Sequence, residues 1–156
     1  MTSADVIAIP LTSKNHLNTQ RFLIRAFSPV NFLPSNIKLQ IGEYVLVIGY
    51  PLGEYYDSVN NLPIVRNGIV SSVYPVPFQS SPYFLVDARL HPGTSGSPVT
   101  TKFKNTWLTE TTLEFSSDFS FYLLGINSST FSLPNGQEPL GLNAVYFATI
   151  IDQIVT

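Results

Sequence analysis

Apolar residues in this chain arrive in short bursts the length of a β-strand, and only the C-terminal tail fits a helical face. The bursts are rich in β-branched and aromatic residues. Val6–Leu11 and Phe22–Phe27 come first. Proline and asparagine then crowd Ser28–Asn36, which reads as a connector. Six more strands are predicted after it, at Tyr44–Tyr50, Ile64–Val73, Tyr83–Ala88, Ser97–Lys102, Phe121–Ser128 and Leu142–Phe147. Gly, Pro, Asn and Ser punctuate the gaps. Such a series suits a closed antiparallel barrel or a sandwich, and closure removes unpaired strand edges. Gly68 interrupts the second of these strands and predicts a bulge or a sharp bend. The polar and aromatic stretch Phe103–Ser120 predicts an extra hairpin, and Ala148–Val155 predicts the one helix, with Ile150, Ile151, Ile154 and Val155 on its apolar face. No repeat at a fixed period is present.

At 156 residues the chain is long enough for one ordinary domain with a core. Its net charge of -2 gives no basic field for nucleic acid or an anionic membrane, so the 13% aromatic content is assigned to the barrel core. Without cysteine there is no disulfide, thiol nucleophile or cysteine metal site. No apolar run approaches the roughly 20 residues that span a bilayer. Met1-Thr2-Ser3-Ala4-Asp5 has no basic n-region and is not read as a secretory signal, which leaves the compartment open.

The segment with most chemical content is Asp87-Ala88-Arg89-Leu90-His91-Pro92-Gly93-Thr94-Ser95-Gly96-Ser97-Pro98-Val99. A serine close to two glycines can sit on a tight turn with its hydroxyl exposed. Gly93 lets the backbone direct an N–H toward a developing oxyanion, and Pro98 restricts the chain as it enters the next strand. On the Gly and Ser spacing alone, a plain turn between strands is the simpler reading.

The wider context resembles the nucleophile loop of the trypsin-like, chymotrypsin-fold serine peptidases, whose usual form is Gly-x-Ser-Gly-Gly-Pro, and the HtrA-like bacterial branch is the nearest match. Three further segments resemble that family in the correct order: Gly42-Glu43-Tyr44-Val45 through Gly49-Tyr50-Pro51-Leu52-Gly53, Asn67-Gly68-Ile69-Val70-Ser71-Ser72, and Leu124-Gly125-Ile126-Asn127-Ser128. The resemblance implies an all-β fold with a six-stranded antiparallel second barrel over 37–156, one short C-terminal helix, and the last strands of a first barrel plus connector over 1–36. It implies Ser95 as nucleophile, the N–H groups of Gly93 and Ser95 as oxyanion hole, and Ser128, Ser129 and Thr130 as the edge that pairs with substrate. Ala4-Asp5-Val6-Ile7-Ala8-Ile9 resembles the segment that carries the triad aspartate, which makes Asp5 its candidate. Ser97 stands where the family has its second glycine, and Thr94 stands where animal trypsins have an aspartate.

Family order is His, Asp, Ser, and no histidine precedes Asp5. The two histidines, His16 and His91, are read as an exposed loop residue and a residue near the pocket rim. A serine without its base loses most of its activation, so little or no peptidase activity is expected of this chain alone. Arg89 and Leu90 are the specificity candidates. Strand alternation turns one of them away, and Leu90 would suit a small aliphatic P1 residue. No metal site and no cofactor motif are found. Three functions stay open: a serine endopeptidase acting on polypeptides, a catalytically silent module that binds extended peptides, and an unrelated barrel with a mimicking turn. A second barrel without its partner would expose an apolar face, which predicts self-association.

Overall fold

Alternation of β-branched residues builds the barrel wall. The computed structural model describes residues 6–8, 26–51, 56–134 and 139–155. Among these, strands β1 (Tyr44–Gly49), β2 (Ile64–Val70), β3 (Tyr83–Asp87), β4 (Pro98–Thr101), β7 (Leu123–Ser132) and β8 (Pro139–Phe147) close into a barrel in the order β1-β2-β3-β8-β7-β4. All pairings are antiparallel, and β4 returns to β1 through Val45↔Thr101, Leu46↔Thr100 and Val47↔Val99. The six strands expected from the sequence are the six of the barrel.

Every second residue of β1 points inward, so Val45 and Val47 are buried while Tyr44 stands in solvent. With Val70, Phe84, Val86, Val99, Leu124, Val145 and Phe147 they form one cluster. Fully burying a side chain of this size contributes about 1.5–3 kcal/mol, so this cluster is the main source of barrel stability. Tyr74 packs its ring edge-on against Phe84 and Phe147, at 5.0 and 5.5 Å. Burial pushes its phenol up to about 12, so it stays neutral at ordinary pH.

The Phe103–Ser120 stretch is the expected hairpin, β5 (Lys104–Leu108) against β6 (Leu113–Ser120). Trp107 anchors it, buried against Tyr122 with ring centroids 4.8 Å apart. Lys104 lies over the Trp107 ring and also pairs with Glu43, which ties the hairpin to the start of β1. The helix α1 spans Thr149–Val155. Its Ile150 is buried, whereas Ile154 stays 39% exposed, so the apolar face is narrower than the spacing predicts.

Gly68 is not a bulge. The β1–β2 register runs unbroken through Val45↔Gly68. A Cβ there would meet Val86 Cγ1 at 2.7 Å and Ala88 Cβ at 3.0 Å, so the glycine marks close approach of β3. Of the two upstream bursts, only 6–8 and 26–27 are described, and neither part is strand. The connector contains a 3-10 turn at Pro29–Asn31 and runs beside β7 through the Phe32↔Leu123 bridge.

Candidate active site

The loop between β3 and β4 is shaped by its own backbone. Gly93 has φ +92 and Gly96 has φ +86, left-handed values that a side chain would strain. The His91 carbonyl accepts from the Thr94 N–H at 3.3 Å and from its hydroxyl at 2.8 Å. The Ser97 N–H then donates back to the Thr94 carbonyl at 3.1 Å. This folds Thr94 inward and leaves Ser95 exposed between Thr94 and Gly96. Among the described residues, neither the Gly93 nor the Ser95 backbone N–H finds an acceptor.

Strand β7 supplies the other wall. Asn127 pairs with Val145 and Ser129 pairs with Ala144, so Ser128 is the extra residue of a β-bulge. The bulge turns the Ser128 carbonyl toward the loop, where it accepts the Ser95 hydroxyl at 2.6 Å. The last β4–β7 pair is Pro98↔Ile126, and the Gly96 N–H reaches the Asn127 carbonyl at 2.8 Å. Beyond that point, among the described residues, no strand covers the edge of 128–130 that faces away from β8. Ser129 and Thr130 are exposed.

A cavity of about 460 Å³ opens over Ser95, lined by Val6, Ile7, Ser95, Gly96, Ile126, Asn127 and Ser128. No charged side chain is among these residues. Asp5 and His16 lie outside the described residues, although Val6, the next residue after Asp5, is part of the lining. The His91 side chain is exposed and does not line the cavity. Among the described residues, no group of three or more His, Asp and Glu is placed to hold a metal.

Arg89 and Leu90 are not among the described residues that line this cavity. Arg89 is exposed. Leu90 packs on the core cluster and lines a separate recess of about 10 Å³ with Val47, Gly49, Pro51, Ile64, Arg66 and Thr94. That recess has room for a single water at most, and Leu90 packs against the core beside it.

Two asparagines escaped the sequence reading. Asn127 and Asn143 are both buried. Asn143 donates from Nδ2 to the carbonyls of Ala88 and Gly141 at 2.7 and 2.9 Å and accepts the Thr130 hydroxyl at 2.7 Å, so it joins β3, β7 and β8 beneath the exposed edge. Its signal was a lone amide on the inward face of an otherwise apolar strand, in line with Val145 and Phe147.

Ser97 is buried against Gly49. A Cβ on residue 49 would fall 2.0 Å from Ser97 Oγ and 3.1 Å from its Cβ, so the two positions are matched in size. Gly49→Ala is expected to cost about 1.5 kcal/mol in urea unfolding. Adding Ser97→Gly restores most of that, because the collision is with this side chain. An equal loss in both backgrounds would refute the pairing.

A family model described as a trypsin-like peptidase domain matches residues 17–105, more than half of the chain and inclusive of the Ser95 loop. A search of curated proteins finds no match. With a closed six-stranded antiparallel barrel, a short C-terminal helix and this match, the chain belongs to the trypsin-like peptidase family.

Proposed function

We propose that the chain is a serine-type endopeptidase domain in which Ser95 Oγ attacks the scissile carbonyl of an extended polypeptide. The observation that carries this reading is the pose of Ser95: exposed on a two-glycine turn, beside two N–H groups without an acceptor among the described residues, and over an open cavity. In the reaction, Oγ bonds to the carbonyl carbon, its proton passes to a base, and the oxyanion accepts from Gly93 and Ser95 N–H. The C–N bond then breaks, and the amine leaves with a proton. Water next attacks the acyl-serine and releases the acid. The uncovered edge at Ser128, Ser129 and Thr130 would hold the substrate by strand addition. Asp5 is the candidate for the triad aspartate, whose role would be to orient a histidine base and stabilise its charged form; neither His16 nor His91 is read as that base.

The second reading, a module that binds extended peptides without cutting, is favoured by one observation. The Ser95 proton is held by a carbonyl, and no described residue lining the cavity is a base.

The test of Ser95 as nucleophile is prolonged incubation with a fluorophosphonate probe, read by intact mass and peptide mapping. A single adduct on Ser95, absent from Ser95→Ala, is expected. An adduct elsewhere, or equal labelling of Ser95→Ala, would remove Ser95 from the role.

A further inference from the structure

Asn127 touches more of the Ser95 loop than any ordinary strand residue needs to. Its backbone N–H donates to the Ser97 carbonyl at 2.9 Å, and its carbonyl accepts from the Gly96 N–H at 2.8 Å. Its side-chain Nδ2 donates to the Thr94 carbonyl at 3.0 Å. The residue is 2% exposed, and its Oδ1 has no hydrogen-bond partner among the described residues. The amide orientation follows from the Thr94 oxygen, which can only accept.

A buried acceptor without a partner is unfavourable, and an apolar side chain would fill the same place without that penalty. Packing therefore does not account for an asparagine here. The donor does. The 94–95 peptide is trans, since the cis bond found in the chain is Tyr74–Pro75. In a planar trans peptide the C=O of one residue and the N–H of the next point in opposite directions. Two donors, Asn127 Nδ2 and the Ser97 N–H, hold the Thr94 oxygen on the protein side. The Ser95 N–H is thereby turned the other way, outward beside its own exposed hydroxyl.

We infer that Asn127 is a positioning residue: its side chain fixes the 94–95 peptide so that the Ser95 N–H points outward as an anion donor, and a peptide carboxylate is the probe that reads it. The inference rests on the reading of Gly93 and Ser95 as an oxyanion hole. It goes further by assigning what aims that hole.

The experiment compares two tetrapeptides, acetyl-Ala-Ala-Ala-Leu with a free carboxylate and the same peptide amidated, titrated into the full chain by NMR and calorimetry. The wild type is expected to prefer the carboxylate by about tenfold, the scale of a hydrogen bond to a charged acceptor. Asn127→Leu leaves the Ser97 N–H as the one described donor to the Thr94 oxygen and is expected to lower that ratio severalfold. A variant that keeps the tenfold preference overturns the role of Asn127 alone. A wild type without carboxylate preference overturns the oxyanion-hole reading and this inference with it. One arm needs no variant: the carboxylate should shift the wild-type Ser95 amide resonance and leave that of Gly96, bonded to Asn127, in place. A Ser95 amide already protected from hydrogen exchange in the free chain would overturn the assignment.

Discussion

Gly125→Ala is expected to destabilise the barrel by about 3 kcal/mol or more, because the added methyl has no side chain to push aside. Its Cβ would lie 2.0 Å from the Tyr146 carbonyl oxygen and 2.9 Å from both the Tyr146 carbonyl carbon and Val145 Cγ1. Gly125 sits mid-barrel, paired with Val99 of β4 on one side and Phe147 of β8 on the other. Strand β8 cannot yield, since Tyr146 is itself paired with Tyr83 of β3. Relief requires β7 to part from a neighbour, which exposes Leu123 and Leu124, 2% and 0% exposed at present. For a domain of this size the loss lowers the melting temperature by roughly 6–12 °C. Gly96→Ala is the control. It adds a methyl into open space at φ +86, so it carries only a left-handed strain of about 1–2 kcal/mol. Circular dichroism melts of the two variants decide the matter. A Gly125→Ala loss no larger than that of Gly96→Ala would mean that the β7–β8 contact is looser than described.

Gly125 also illustrates what the sequence could and could not reveal. Strand positions were legible because Val, Ile, Phe and Tyr runs alternate with Gly, Pro, Asn and Ser. The ring order was not legible from the residues, since β4 pairs with both β1 and β7 across long sequence separations. Strand ends shifted for physical reasons. The stretch Leu142–Phe147 extends back to Pro139 because its partner β7 runs on to Ser132, past the bulge at Ser128. The same bulge explains why the acceptor of the Ser95 proton was invisible. It is a backbone carbonyl, aimed by a register shift that no side chain encodes. Leu90 packs on the core cluster beside a recess of about 10 Å³ that is separate from the Ser95 cavity, a placement that strand alternation alone does not encode. The role of Asn127 is not legible in the sequence because it lies in three contacts to residues 94, 96 and 97, brought together only by folding.

Ser95 is expected to react with a fluorophosphonate about 10⁴-fold more slowly than a serine served by a complete triad, and with a different dependence on pH. Its hydroxyl proton rests on the Ser128 carbonyl at 2.6 Å. A carbonyl oxygen orients that proton but is far too weak a base to remove it. The described lining of the cavity contains no imidazole or carboxylate to do so. Solvent hydroxide must then take the proton, so the rate constant rises about tenfold per pH unit from 6 to 9 without a plateau. A histidine base would instead titrate at about pH 6.5 and flatten the profile above that value. The sequence contains only His16 and His91 as candidates. His91 is exposed on the turn and outside the cavity lining, and His16 lies outside the described residues. Substitution of His91 by alanine is therefore expected to leave the labelling rate unchanged, and the same is expected of His16→Ala because the sequence reads His16 as an exposed loop residue. Time courses by intact mass across that pH range provide the measurement. An inflection that vanishes in His16→Ala would overturn the expectation and hand the base to His16, whereas a straight line with unit slope means that the loop holds a poised but unactivated nucleophile.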